Sequence, residues 1–274
     1  MSKNEGTVGG GLVALLGELV RAGLTDEMVE AVLKDPALAR RAVEALAVPI
    51  AVVPAVASAA AEPHALIHGL FAPIVEQVAL LKKWNIERGW GFSEEDFVVV
   101  EAEAKGIPWP ENRLTAVVIV PYLDTVQRTF DELWLLAASR QERSWRWPEL
   151  KSDAGHLRLL GGDGRHRRGL KVEVIDLGAN RGRKPEAVRD PDTSPHAGVL
   201  AAAALHPEWV RRMNGADIPH AWLAGYECKV PGRRRWRYVP ILYFRRDFRL
   251  VELGAGGCGH ASDSWAAPSP GKRH

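Results

Sequence analysis

Cysteine is almost absent from this 274-residue chain; Cys228 and Cys258 are its two thiols. Two cysteines cannot build a disulfide framework, so the sequence predicts a fold held by its core in a reducing compartment. Long apolar runs are missing as well. The most membrane-like stretch, "AVPIAVVPAVASAAA" at 47–61, falls short of the roughly 18–20 residues that span a bilayer and contains two prolines. The start, "MSKNEGTVGGGLVALLG", has one lysine ahead of a glycine-interrupted apolar run, with an acid before it, which is not the pattern of a secretory signal. The expectation is a cytoplasmic protein without a membrane partner. Catalytic signatures are equally scarce: no G-x-S-x-G elbow, P-loop or paired CxxC occurs. "GGGLVALLG" offers a superficial G-x-G-x-x-A at Gly9, Gly11 and Ala14, but no strand precedes it, as a dinucleotide fingerprint requires.

Charge is present but unevenly placed. The net charge is +2, yet residues 1–150 hold 14 Lys and Arg against 21 Asp and Glu, and residues 151–274 hold 22 against 13. An acidic front and a basic back predict a polyanion or an acidic protein as partner of the C-terminal part; a basic face that serves only solubility is the plainer alternative. Ten tryptophans are spread along the chain, which favours packing over a dedicated cluster. Trp145 and Trp147 in "SWRWP" differ: in an extended segment both lie on one side, a ledge on which bases or sugars can stack.

Hydrophobic period orders the chain into helices first and strands later. "LTDEMVEAVLKDPALARRAVEAL" reads as a helical hairpin capped by Thr25, with Asp35-Pro36 restarting the second helix. Its acidic balance excludes a helix-turn-helix reader of DNA. "PHALIHGLFAPIVEQVALLKKWNIERG" is a helix expected to bend at Pro73. "GFSEEDF" is a helix start, with Ser93 as cap, Asp96 at the third position and Phe92 stapled to Phe97. "LTAVVIVPYL" is a continuous apolar run fit for a buried strand, and Asp124 is placed to cap the helix that follows. "HLRLL" and "LKVEVIDL" read as strands joined by the turn-rich "GGDGRHRRG", a hairpin loop that could also cradle phosphate. "SPHAGVLAAAALHPEWVRRMNG" is an Ala-rich helix restarted at Pro207, and three strand-like runs follow at 219–230, 235–244 and 248–253. The end is loop, docked by Trp265. The predicted fold class is α+β: a helical N-terminal part, then a mixed or antiparallel sheet with packed helices. Three regions follow: 1–62, a helical hairpin with an Ala/Pro-rich connector; 63–268, the α+β domain; and 269–274, a tail.

The stretch "GYECKVPGRRRWRYVP" (225–240) carries the most concentrated chemistry. Strand parity puts Tyr226, Cys228, Trp236 and Tyr238 on one buried face, which selects a three-residue or longer odd loop. The shortest register sets Cys228 opposite Trp236 and Glu227 opposite Arg237 as an exposed ion pair. Pro240 then implies an edge or a bulge. A metal-dependent phosphodiester hydrolase is the alternative reading, with Asp176 and Glu227 holding a divalent metal and Lys229 steadying the attacking water. Asp176 shares parity with apolar neighbours in "LKVEVIDL", and an inward carboxylate needs a metal, an arginine or backbone donors. No metal or other cofactor is otherwise implied. His64 and His68 stand four apart on a helix without a third ligand. Asp192 and His196 in "PDTSPHAG" sit near a helix start, either assisting Asp176 or forming a capping loop with Thr193 or Ser194.

"SWRWPEL", "VIDLGAN", "SPHAGVLAAAALHPEWV", "GYEC" and "DSWAAP" resemble segments of an uncharacterised family predicted from candidate-phyla bacterial genomes. The resemblance spans Trp84 to Pro268. It implies a bacterial cytoplasmic protein and no activity. Three functions therefore stand as expectations. The first is a non-catalytic binding protein whose basic face (Arg165, Arg167, Arg168, Arg181, Arg183, Lys184, Lys229, Arg233, Arg234, Arg235, Arg237), with Trp145 and Trp147, meets nucleic acid or an acidic partner. The second is the hydrolase of Asp176, Glu227 and Lys229. The third is an interaction protein working through its acidic helical front.

Overall fold

Pro73 starts a helix rather than bending one. In the computed structural model, which describes residues 70–110, 112–229 and 235–271, α1 (Ile74–Arg88) begins directly after it and ends at Gly89 in the left-handed region, φ 60°. Proline has no N–H to leave unpaired at a helix start, so that position suits it. The N-terminal hairpin, His64 and His68, and the Gly9, Gly11 and Ala14 pattern lie outside the described residues. α2 (Glu94–Lys105) opens with the capping box read from the sequence: Ser93 accepts from the Asp96 N–H, and Asp96 accepts from the Ser93 N–H. Those donors hold the Asp96 carboxyl below its ordinary range. Phe92 and Phe97 meet edge to face at 6.5 Å.

β1 (Thr115–Tyr122) is buried along its whole length. A strand apolar at every position needs cover on both faces, and it has it. α1 and α2 pack on one side of the sheet that β1 forms with β4 (Gly169–Asp176) and β10 (Ser269–Pro270); α5 (Ala197–Leu205) packs on the other. β1 is an edge of this three-stranded antiparallel sheet, and the buried Gln77 of α1 completes it. The Gln77 amide donates to the Val117 carbonyl at 2.9 Å and accepts from the Ile119 N–H at 3.1 Å, standing in for a neighbouring strand.

α3 (Val126–Ser139) is capped by Thr125, whose side chain accepts from the Arg128 N–H; Asp124, the expected cap, pairs with Arg128 and Arg168 instead. α5, "AGVLAAAAL", is buried at every position because it lies between the small sheet and α3. A helix apolar all round belongs inside, and alanine lets its neighbours approach closely. α4 (Pro185–Val188) and α6 (Pro207–Arg211) are single turns opened by proline.

The larger sheet runs β2 (Arg143–Arg146), β8 (Leu250–Gly257), β7 (Tyr238–Arg245), β5 (His220–Trp222), β9 (Trp265–Ala266), with β3 (Leu157–Leu159) joined to β7 through β6 (Tyr226–Cys228). The β2–β8 and β5–β9 pairs are parallel and the rest antiparallel. The architecture is α+β, helices leading and mixed sheets following.

Three expectations are corrected. "GGDGRHRRG" is not a hairpin loop: β3 and β4 belong to different sheets, and the segment crosses between them. Cys228 faces Tyr238 rather than Trp236, so the odd-length connection holds but the register moves on by two residues. Pro240 lies within central β7, not at an edge. Its carbonyl accepts from the Leu223 N–H, while the Leu223 carbonyl takes the Tyr226 N–H of the turn between β5 and β6. That turn serves the carbonyl the proline nitrogen cannot.

Candidate functional site

The two carboxylates of the hydrolase reading have other employment. Asp176, at the end of β4, accepts from the Gly178 N–H at 2.9 Å and the Asn112 amide at 3.2 Å, so backbone and amide donors supply the partner it needs. Glu227 is buried in β6 of the other sheet, not exposed opposite Arg237. Arg158 holds one of its oxygens at 2.8 and 3.0 Å, and Arg189 reaches the other at 3.3 Å. Arg158 also stacks on Trp236, 4.3 Å from the ring centre. Lys229 gives its backbone N–H to the His156 carbonyl. Among the described residues, no three His, Cys, Asp or Glu side chains gather where a metal could be held.

The basic residues divide in the same way. Arg165 is partly buried and donates to the Gly225 carbonyl; Arg168 donates to the Trp90 carbonyl, pairs with Asp124 and covers Phe92. Arg181 clamps the carbonyls of Gly215, Ala216 and Asp263. Arg167 folds back on the Gly164 carbonyl. Arg183, Lys184, Arg235 and Arg237 are exposed, and Arg233 and Arg234 lie outside the described residues. The tryptophan ledge also separates: Trp145 is 42% exposed, whereas Trp147 leaves the strand and packs against the core.

Trp145 gains different neighbours across the sheet. Paired residues in a sheet share a face. The registers align Trp145 of β2 with Glu252 of β8, Tyr243 of β7, His220 of β5 and Trp265 of β9. This row crosses five strands, about 19 Å at the usual strand spacing. It belongs to the face turned away from α3: the adjacent row, Arg146, Leu253, Leu242 and Ala221, holds the buried residues, and Arg146 reaches Asp131 of α3.

Aromatic contact fills the row beyond Glu252. Tyr243 and Trp265 centre 5.7 Å apart, His220 and Trp265 5.0 Å, and Trp222 joins Trp265 at 5.3 Å. Tyr243, His220 and Trp265 are half-buried. Glycine makes room beneath: a Cβ on Gly256 would meet the Trp222 ring at 2.7 Å. Glu252, between Trp145 and Tyr243, is buried, pairs with Arg245 at 3.3 Å and accepts from the Tyr243 hydroxyl, whose pKa burial and this carboxylate raise. Burial lowers His220, keeping it neutral, and both His220 Nδ1 and Trp222 Nε1 are buried without a partner.

Arginine borders one end. Arg143, Leu250 and Arg245 form the row beside Trp145. Around the β7–β8 turn, Arg211, Arg246 and Arg249 line a cavity of about 230 Å3 with Glu142 and Phe244, on the side of the sheet that Leu242 faces, where Arg211 pairs with Glu208 and Arg249 with Glu142. Arg245 stacks on the exposed Phe248 at 4.5 Å. None of these arginines was singled out from sequence, because they come from α6, β2, β7 and the β7–β8 turn and meet only through the fold.

No protein-family model, curated protein or solved structure matches the chain.

Proposed function

We propose that the protein binds single-stranded nucleic acid on the outer face of its larger sheet. The observation that carries this reading is the cross-strand row of Trp145, Tyr243, His220 and Trp265, half-open to solvent and bordered by arginines. Aromatic faces accept stacked bases of any sequence, and neighbouring guanidinium groups attract the phosphates. A duplex hides its base faces, so the row favours a single strand. The reading keeps the charge argument made from sequence and moves its centre from the 165–168 and 233–237 segments to the end of the sheet.

The direct test is anisotropy of labelled oligothymidylate and of a duplex of equal length at 50 and 200 mM salt. The single strand should bind more tightly, with affinity falling as salt releases from the backbone. Equal affinity for both, or none at low salt, overturns the reading. An acidic protein partner would use the arginines without the rings, and Trp145→Ala would then leave its binding unchanged.

A further inference from the structure

A second site lies elsewhere, at the N-terminal end of α5, where the 161–168 crossing, β4 and β6 meet. A cavity of about 300 Å3 opens there, lined by Arg165, Glu173, Asp192 and His196 and by an apolar wall that includes Val172 and Pro270. That volume suits a small organic molecule.

Polar atoms without partners concentrate beside it. Arg165 Nε, His166 Nδ1, His196 Nε2 and the Tyr226 hydroxyl are all buried and unpaired. Tyr226 is fully buried and His196 is 8% exposed. The His166 Nε2–H donates to the Leu123 carbonyl at 2.8 Å. The rings are held in place: His196 lies 4.9 Å from Tyr122 and 6.0 Å from Tyr226. Buried polar groups are ordinarily satisfied; Arg165 Nε and His196 Nε2 belong to the lining, with the other two on rings packed against His196, and together they indicate a missing partner.

The sign of the charge identifies that partner. Glu173 is already engaged: the Tyr122 hydroxyl donates to it, and its other oxygen lies where a Cβ on Gly198 would stand, in the first turn of α5. Lys171 sits over the Tyr122 ring at 4.6 Å. His196 is pushed down to about 3, by burial first and then by Arg165, His166 and Lys171, and Arg165 lines the same cavity.

We propose that this cavity binds a small organic oxyanion, its acidic group on Arg165 and His196 and its organic body against the Val172–Pro270 wall. A carboxylate and a phosphate ester share this chemistry. Calorimetric titration with butyrate and with inorganic phosphate separates the two. At least one should bind saturably with one-to-one stoichiometry, and Arg165→Gln should weaken it at least tenfold. Arg249→Gln, at the arginine-rich sheet end, should leave it unchanged. Should Arg165→Gln fail to fold, the wild-type imidazole spectrum gives the same answer: the His196 ring signals must move on titration while those of His260 do not. Saturation of neither probe below about 10 mM, equal binding by folded Arg165→Gln, or equal loss in Arg249→Gln overturns the proposal.

Discussion

Glu227 shows how one side chain can look catalytic in sequence and be structural in the fold. A glutamate two positions before a lysine suggests metal chemistry, but here its two oxygens are held by Arg158 and Arg189 across β3 and α4's exit. Glu227→Gln should lower unfolding free energy by about 1–3 kcal/mol, because it leaves two partly buried guanidinium groups short of their counter-charge. Urea denaturation checks this, and an unchanged midpoint would contradict it. The burial of Glu227 was not legible: parity alone placed it on the odd, outward face, whereas β6 is a short inner strand covered on both sides. Glu173 was legible and missed. β1 carries a continuous apolar centre from Ala116 to Val120, so its neighbour β4 lies against covered faces, and the acid opposite Val118 is half-buried there.

Among elements, those defined by local chemistry were readable and those defined by distant partners were not. The Ser93–Asp96 capping box, the restart at Pro207 and the buried β1 follow from neighbours in sequence. The separation of β3 from β4 into two sheets, and the edge role of Gln77, depend on contacts that no window of residues contains. Gln77→Leu tests the second point. It fits the space but strands the Ile119 N–H and the Val117 carbonyl in the core, at roughly 1–3 kcal/mol each. We expect a loss of about 2–4 kcal/mol, with faster hydrogen exchange at Ile119; wild-type exchange there would show that another group pairs the edge.

For the whole molecule, two buried histidines set the response to acid. His196 and His206 are both pushed down to about 3 by burial, and His206 Nδ1 accepts the Ala72 N–H. Their folded values lie below the ordinary value near 6.5. The stability from keeping them neutral is therefore complete above that value and drains as pH falls toward 3. Unfolding at pH 5 should take up about two protons from this source, a slope of roughly 2.7 kcal/mol per pH unit. Urea titrations at pH 5, 6 and 7 measure it, and His206→Asn, which keeps an acceptor but cannot titrate, should remove about half. A flat profile would contradict the burial of both rings.

The proposed recognition rests on the sheet, because the aromatic row gathers residues from β2, β5, β7 and β9 that are scattered over more than a third of the chain. Trp145 is its most exposed ring, and it is Trp147 that packs against the core. The most direct measurement is therefore the affinity of wild type and Trp145→Ala for labelled oligothymidylate at 50 mM salt, with melting temperatures recorded alongside. The account predicts an unchanged melt and an affinity lower by about 1–3 kcal/mol, the worth of one stacked base. Equal affinity with an unchanged melt would contradict it, and would return the outer face to the role of covering the sheet.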